Sequence, residues 1–261
     1  MEVEIDLNKS VDENAGIYYD LAKRAKKKIQ GTQVALADAR KKLEQLQKQE
    51  AQFFQEEEVK KSKKDRKREW YEKFHWFFSS EDYLCIGGKD ATSNEVIVKK
   101  HMEADDLVLH TDMAGSPFFI IKNGQKAGEI TIKETAQMVA VYSKAWKMGH
   151  TIADVFYVKP EQVSKEAQSG EYMSKGSFMI RGKTEYLHPK LEIAIGLQND
   201  LIVAGSESAV KKKTNQYVLV IPGDEKKSSL AKKIRSKLKG GDLDDIISFL
   251  PAGGGQVAKN K

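Results

Sequence analysis

The chain has a single cysteine, Cys85. An intrachain disulfide is therefore impossible, and with no CxxC pair a thiolate zinc site is excluded. Cys85 sits in the apolar stretch Tyr83-Leu84-Cys85-Ile86 and reads as a small buried side chain rather than a nucleophile. No apolar run approaches the roughly 18 residues that a membrane span needs, so no membrane partner is expected. The N-terminus, Met1 to Asp6, is acidic and lacks a secretory signal pattern. These absences point to a cytoplasmic protein. No GxSxG or HExxH pattern occurs, and the histidines stand at no metal-ligand spacing. No catalytic residue, no metal and no cofactor is expected.

What the chain does have is charge, unevenly placed. Its 261 residues carry a formal net charge of +6. Residues 59–68 hold seven Lys/Arg against one acid, Asp65, and residues 226–239 hold seven with no acid. Clustered base of this kind favours a polyanionic partner, nucleic acid first. The plain alternative is a solvated helix face.

No proline occurs between Asp12 and Gln52, and the segment is rich in Ala, Lys, Glu, Gln and Leu, which favours helix. Ile29, Leu36, Ala39, Leu43, Leu46 and Phe53 step by threes and fours through Thr32 and Glu50, as a heptad seam does. Ile17, Leu21 and Ala25 extend the stripe upstream. About forty residues of such helix span roughly 60 Å and need a partner. The spacing predicts an antiparallel hairpin with a turn within 48–57, whose second helix runs to Phe78 with Trp70, Phe74 and Phe77 on one face. One uninterrupted helix that dimerises is the other solution. The aromatic cluster at 70–78 reads as a joint to the next domain rather than a base-stacking platform.

From Ser79 the texture changes to short apolar runs bounded by turn residues. Strands are predicted at 83–86, 107–110, 118–121, 155–158, 178–181, 186–188 and 191–195. Asn123-Gly124 reads as a tight hairpin turn. Thr131 with Glu134 reads as the capping box of a helix that exits at Lys147 and Gly149. This order gives an α+β fold: a long antiparallel coiled-coil hairpin, then a mostly antiparallel sheet domain with one main helix, then a small α/β C-terminal extension. The expected domains are 1–78, 79–197 and 198–261. The last would hold strands at 201–204 and 217–221, helices at 228–238 and 242–250, and a disordered tail from Gly253.

His110-Thr111-Asp112 invites a catalytic or metal reading, but a structural or RNA-contacting histidine at a strand end fits the pattern better. Gly176 to Gly182-Lys183-Thr184 resembles a P-loop, yet five residues separate the glycines and 177–181 is strand-like, so nucleotide hydrolysis is rejected. What remains is binding. Lys and Arg neutralise phosphates, and glycines let backbone approach a bulky ligand. The candidate RNA contacts are Lys60, Lys61, Lys63 and Lys64; Lys99, Lys100 and His101; His110 and Asp112; Ser164, Lys165, Tyr172, Lys175, Ser177, Arg181 and Lys183. Tyr172 and Phe178 would stack bases if exposed.

Trp70-Tyr71-Glu72-Lys73-Phe74, Ile86-Gly87-Gly88-Lys89-Asp90-Ala91, Asn94-Glu95, His110-x-Asp112 and Gly115-Ser116-Pro117 together resemble the NFACT family of ribosome-quality-control proteins. So do Tyr142-Ser143-Lys144-Ala145-Trp146, Gln162-Val163-Ser164-Lys165, Gly170-Glu171-Tyr172 and Lys175 to Lys183. Asp6 to Val11, with Asn14 and Tyr18-Tyr19, is similar to that family's entry into its coiled coil. The resemblance implies a coiled-coil middle region followed by the RNA-binding domain termed NFACT-R. It implies docking on large ribosomal subunits that carry stalled peptidyl-tRNA, with rRNA and tRNA or peptidyl-tRNA as partners. The family's N-terminal domain has no counterpart in this sequence, which fits either a fragment or a split gene product; in the second case a separate chain carrying that domain is a further expected partner. A coiled-coil scaffold without direct RNA binding is the alternative.

Overall fold

The computed structural model describes residues 3–64, 69–113, 115–164 and 177–258, with only the main-chain path given for 48–64. It forms two compact units, Met1–Arg68 and Glu69–Lys261.

The first unit is one helix with an N-terminal arm. α1 runs unbroken over Val11–Lys64, 54 residues and about 80 Å at 1.5 Å per residue. Ser10 and Glu13 form its capping box: the Ser10 amide donates to Glu13 Oε2 at 2.7 Å and the Glu13 amide to Ser10 Oγ at 3.3 Å. The buried Asn14 ties the arm down, accepting from the Asp6 amide at 2.9 Å and donating to Asp6 O at 3.0 Å. The hairpin expected from the sequence is therefore corrected. Residues 48–57 contain no glycine or proline to turn the chain. Glu56 and Glu57 precede Lys60 and Lys61 by four, a spacing that supports helix. The seam residues Leu36, Leu43 and Leu46 are more than half exposed along α1.

The second unit begins with a 3-10 turn, Trp70–Lys73, where the sequence predicted helix. It continues as β1 (His75–Phe78) and β2 (Leu84–Gly87). An unbroken aromatic run suits a pleated strand that buries both faces better than a helix with one apolar stripe. α2 (Ala91–Val96) passes directly into a π-helical turn, Ile97–His101. Next come β3 (Leu107–His110), β4 (Phe119–Ile121), α3 (Glu129–Tyr142), α4 (Lys144–Lys147), β5 (Val155–Val158), β6 (Val163–Ser164), β7 (Met179–Ile180) and β8 (Glu185–Leu187). The described chain closes with β9 (Ile193–Gln198), β10 (Leu201–Gly205), α5 (Glu207–Lys213), β11 (Tyr217–Glu225), α6 (Lys227–Leu238), α7 (Leu243–Phe249) and β12 (Gly255–Val257).

Among the described residues every strand pair is antiparallel. One sheet has six strands in the order β1-β2-β4-β3-β5-β8, a second has four in the order β10-β9-β11-β12, and β6-β7 form a two-stranded ribbon. The period-2 alternation sorts the six-stranded sheet into two faces. Leu107, Leu109, Phe119, Ile121 and Cys85 face α3 and the four-stranded sheet. Val108, Ile120, Ile86 and Phe156 face the other way, toward α2, the π-helical turn and the β6-β7 ribbon. Residues beyond 197 belong to the first of these cores: Ile202, Val220, Leu230 and Ile246 pack in one cluster with Phe77 and Trp146.

Three local expectations are corrected. Asn123, at φ 55°, leads into a 3-10 turn and then α3, not into a hairpin. α3 starts at Glu129, two residues before Thr131, because Glu81 caps it from a distance. Its Oε2 accepts from the Gly128 amide at 3.1 Å and from Thr131 Oγ1 at 2.6 Å. Glu134 instead accepts from the Ser80 amide at 2.8 Å and from Ser208 Oγ. The tail predicted to be disordered is β12 up to Val257. A Cβ on Gly254 would lie 2.2 Å from Gly223 O, so glycine is what allows this close approach.

The joint between β1 and α3 is aromatic. His75 stacks on Tyr142 at 3.7 Å, and Tyr142 donates its hydroxyl to Phe249 O at 2.9 Å. Burial, with help from the Lys89 and Lys227 charges, pushes the His75 pKa down to about 3, so the ring is neutral at physiological pH.

Candidate nucleic-acid interface

The loop between β3 and β4 is built by residues that the sequence offered as motif. Asp90 caps α2 by accepting from the Ser93 amide at 2.7 Å. That turn presents the buried Asn94, which accepts from the Phe118 amide at 3.1 Å and donates to Ser116 O at 3.3 Å. The Gly88 amide donates to Phe118 O at 3.1 Å. Thr111 Oγ1 donates to Ser116 Oγ at 2.8 Å. Gly88, Asn94 and Ser116 thus hold the loop main chain in place.

His110 ends β3 inside this frame. Its Nδ1 lies 2.9 Å from Pro117 O, and its ring stacks on Phe118 at 4.2 Å. Burial lowers its pKa, against the opposing pull of Pro117 O and Asp112, which favours the neutral ring. Asp112 is exposed and accepts from the Tyr186 hydroxyl at 3.1 Å. Tyr186, on the edge strand β8, meets Phe156 at 5.8 Å, and Phe178 meets Phe118 at 4.8 Å. An aromatic layer therefore runs from His110 to Phe178 and Tyr186.

Arg181 and Lys183 flank that layer on the β7–β8 connection, and both are exposed. Gln162 pins the main chain between them. Its Nε2 donates to Arg181 O and to Lys183 O, each at 2.9 Å, and its carbonyl accepts from the Arg181 amide at 2.9 Å. Gly182 turns the chain at φ 87°. Ser164 lies on β6 opposite Met179, and Ser177 just precedes the ribbon's second strand.

Lys99, Lys100 and His101 stand apart, at the opposite end of the β3–β4 pair. They lie on the π-helical turn rather than on the turn or strand end that the sequence suggested. Lys122 Nζ donates to His101 O at 2.8 Å and pairs with the buried Asp106 at 2.8 Å, which anchors the turn. Lys60, Lys61, Lys63 and Lys64 lie on α1, where only the main chain is described, and Lys165, Tyr172 and Lys175 lie outside the described residues. Sequence reading missed Asn94, Phe156 and Tyr186 as builders of the site. Asn94 had a signal, since a polar residue one turn after an Asp N-cap beside two glycines is placed to bond main chain.

Cys85 is fully buried, 3.2 Å from Thr135 Oγ1, and burial pushes its pKa up to about 12. Among the described residues no three His, Cys, Asp or Glu converge in a way that would hold a metal ion. The P-loop-like stretch is extended at Met179–Ile180.

Residues 73–182 match the family model described as the NFACT protein RNA binding domain. The chain is 39% identical over 208 residues to the archaeal Rqc2 homolog aRqcH of Methanocaldococcus jannaschii, covering 77% of this chain and 31% of that protein. The chain belongs to the NFACT family. Within that family it is also 43% identical over 178 residues to the human ribosome quality control complex subunit NEMF, covering 67% of this chain and 16% of that one. Against the ribosome quality control complex subunit 2 of Schizosaccharomyces pombe the identity is 31% over 250 residues, covering 94% and 24%. This NFACT chain thus spans a third or less of the length of these relatives. The matched segment ends at Gly182, inside the β7–β8 connection, whereas the folded unit continues through the four-stranded sheet.

Proposed function

We propose that this chain is a non-catalytic, RNA-contacting module of a cytoplasmic ribosome quality control factor. It docks on large ribosomal subunits that carry stalled peptidyl-tRNA and touches rRNA or the tRNA body. The observation that carries this reading is the match of residues 73–182 to an RNA-binding family model, laid over a surface where exposed cations flank an aromatic layer. In this reading Arg181, Lys183, Lys99 and Lys100 neutralise phosphates. Asp112 and Gln162 hold the surface in shape, and His110 is a neutral packing residue.

Phosphate neutralisation makes binding salt-dependent. Titration of tRNA with the full chain tests the reading. Affinity falls linearly on a log–log salt plot, and the paired change Arg181→Glu with Lys183→Glu lowers affinity about tenfold near 100 mM salt and flattens the slope by roughly one to two. An unchanged affinity and slope would remove these two residues from the interface. Binding that ignores salt altogether would favour a protein scaffold built on α1.

A further inference from the structure

We propose that Trp70 and His101 form a stacking platform for an unpaired RNA base, with Lys73 and Lys100 placed to meet the flanking phosphates. This rests on the RNA-contacting reading above and adds the class of RNA: single-stranded. It reverses the reading of Trp70 as part of a packed joint.

The geometry is that of a platform. Trp70 is 43% exposed although it belongs to a folded 3-10 turn. Its indole lies nearly parallel to the His101 ring, with centroids 4.4 Å apart and an interplanar angle of 16°. His101 is backed in turn by Phe74, edge-on at 5.5 Å, and Phe74 is core. The stack therefore starts in the core and ends at the surface on a large π-face. Every base has a π-face to add to such a stack, and only an unpaired base can reach one.

The electrostatics agree. Lys122 Nζ donates to His101 O at 2.8 Å and Lys73 Nζ lies 4.9 Å from the Phe74 ring centroid; burial lowers the His101 pKa, and the Lys73, Lys122 and Lys100 charges lower it further. Lys122 is committed to Glu103 at 3.1 Å and Asp106 at 2.8 Å. Lys73 and Lys100 are exposed and have no carboxylate partner among the described residues. The neighbouring Glu72 accepts from the Glu69 amide at 3.1 Å as part of the turn's capping box. His101 Nε2 is buried without a hydrogen-bond partner. A neutral ring with a free edge suits stacking better than ion pairing. The turn that delivers Lys99, Lys100 and His101 is π-helical, a rare geometry that recurs at functional sites.

The test uses the full chain and two probes, a 12-nucleotide single strand with a central 2-aminopurine and the duplex of the same sequence. Stacking quenches 2-aminopurine. Trp70→Ala is expected to weaken single-strand binding by about 5- to 150-fold, the range for one stacked base, and to abolish the quenching. Duplex binding should move far less. Trp70→Phe keeps a ring and should retain most of the affinity, which separates loss of stacking from loss of fold. Single-strand affinity and quenching unchanged in Trp70→Ala would overturn the platform and leave the RNA-contacting function standing. Equal losses for single strand and duplex would also overturn it. Failure of the unaltered chain to bind either probe would overturn both.

Discussion

A chain cut to residues 69–197, which ends where sequence texture alone closes the expected 79–197 domain, will not fold. The cut falls inside the hairpin of β9 with β10, which pairs Leu201 with Gln198. It strips β9 of both neighbours, since β11 pairs on its other side. It also removes Ile202, Val220, Leu230, Ile234, Ile246 and Phe249 from the core that they share with Phe77, Trp146 and Ile193. Each such side chain contributes about 1.5–3 kcal/mol when fully buried. Six of them reach the roughly 5–15 kcal/mol that holds a whole domain. Two specific bonds disappear as well: Trp146 Nε1 to Gly254 O at 2.8 Å and Tyr142 to Phe249 O at 2.9 Å. The shortened chain should lack a near-ultraviolet circular dichroism signal and a cooperative thermal transition. Residues 69–258 should keep both. A native-like spectrum from 69–197 would show that the two sheets are separate domains.

The second large effect is expected at Gly88. A Cβ there would lie 1.9 Å from Asn94 Oδ1 and 2.9 Å from the Asn94 amide nitrogen, and the latter is main chain that cannot swing aside. Gly88→Ala must push α2 off the β3–β4 loop. It thereby strains the Asn94 bonds to Phe118 and Ser116, which are buried. The cost is about 2–4 kcal/mol, or a Tm lower by roughly 5–15 °C in a unit of this size. Asn94→Ala removes the same bonds without the clash and should cost less. Differential scanning calorimetry distinguishes the two. An unchanged Tm in Gly88→Ala would mean that the motif glycines serve a ligand rather than the fold.

Much of the fold was legible because local pattern and tertiary outcome agree. β3 and β5 fall on the predicted residues, where short apolar runs are bounded by turn residues on both sides. What escaped the sequence was settled at long range. No local signal says that Glu81 caps α3 across 50 residues, or that Gly254 closes against Gly223. The aromatics at 75–78 satisfied a helical face on paper, but a strand lets Phe77 enter one core while Trp76 borders both. The hairpin in α1 was expected because an exposed seam is costly, yet strong helix formers run straight through 48–57. At the site, charge and polarity nominated His110 and Asp112. They could not tell that His110 is stacked and partly buried, or that Asp112 is engaged by Tyr186 from a distant strand.

Under the proposed function, the aromatic layer and its flanking cations work against ribosomal RNA. Sedimentation of the full chain with purified large ribosomal subunits, with and without bound peptidyl-tRNA and over a salt series, tests this most directly. The chain should pellet with subunits at low salt, pellet more with those that carry peptidyl-tRNA, and return to the supernatant as salt rises. A chain that stays in the supernatant at the lowest salt, with either subunit preparation, would contradict the account.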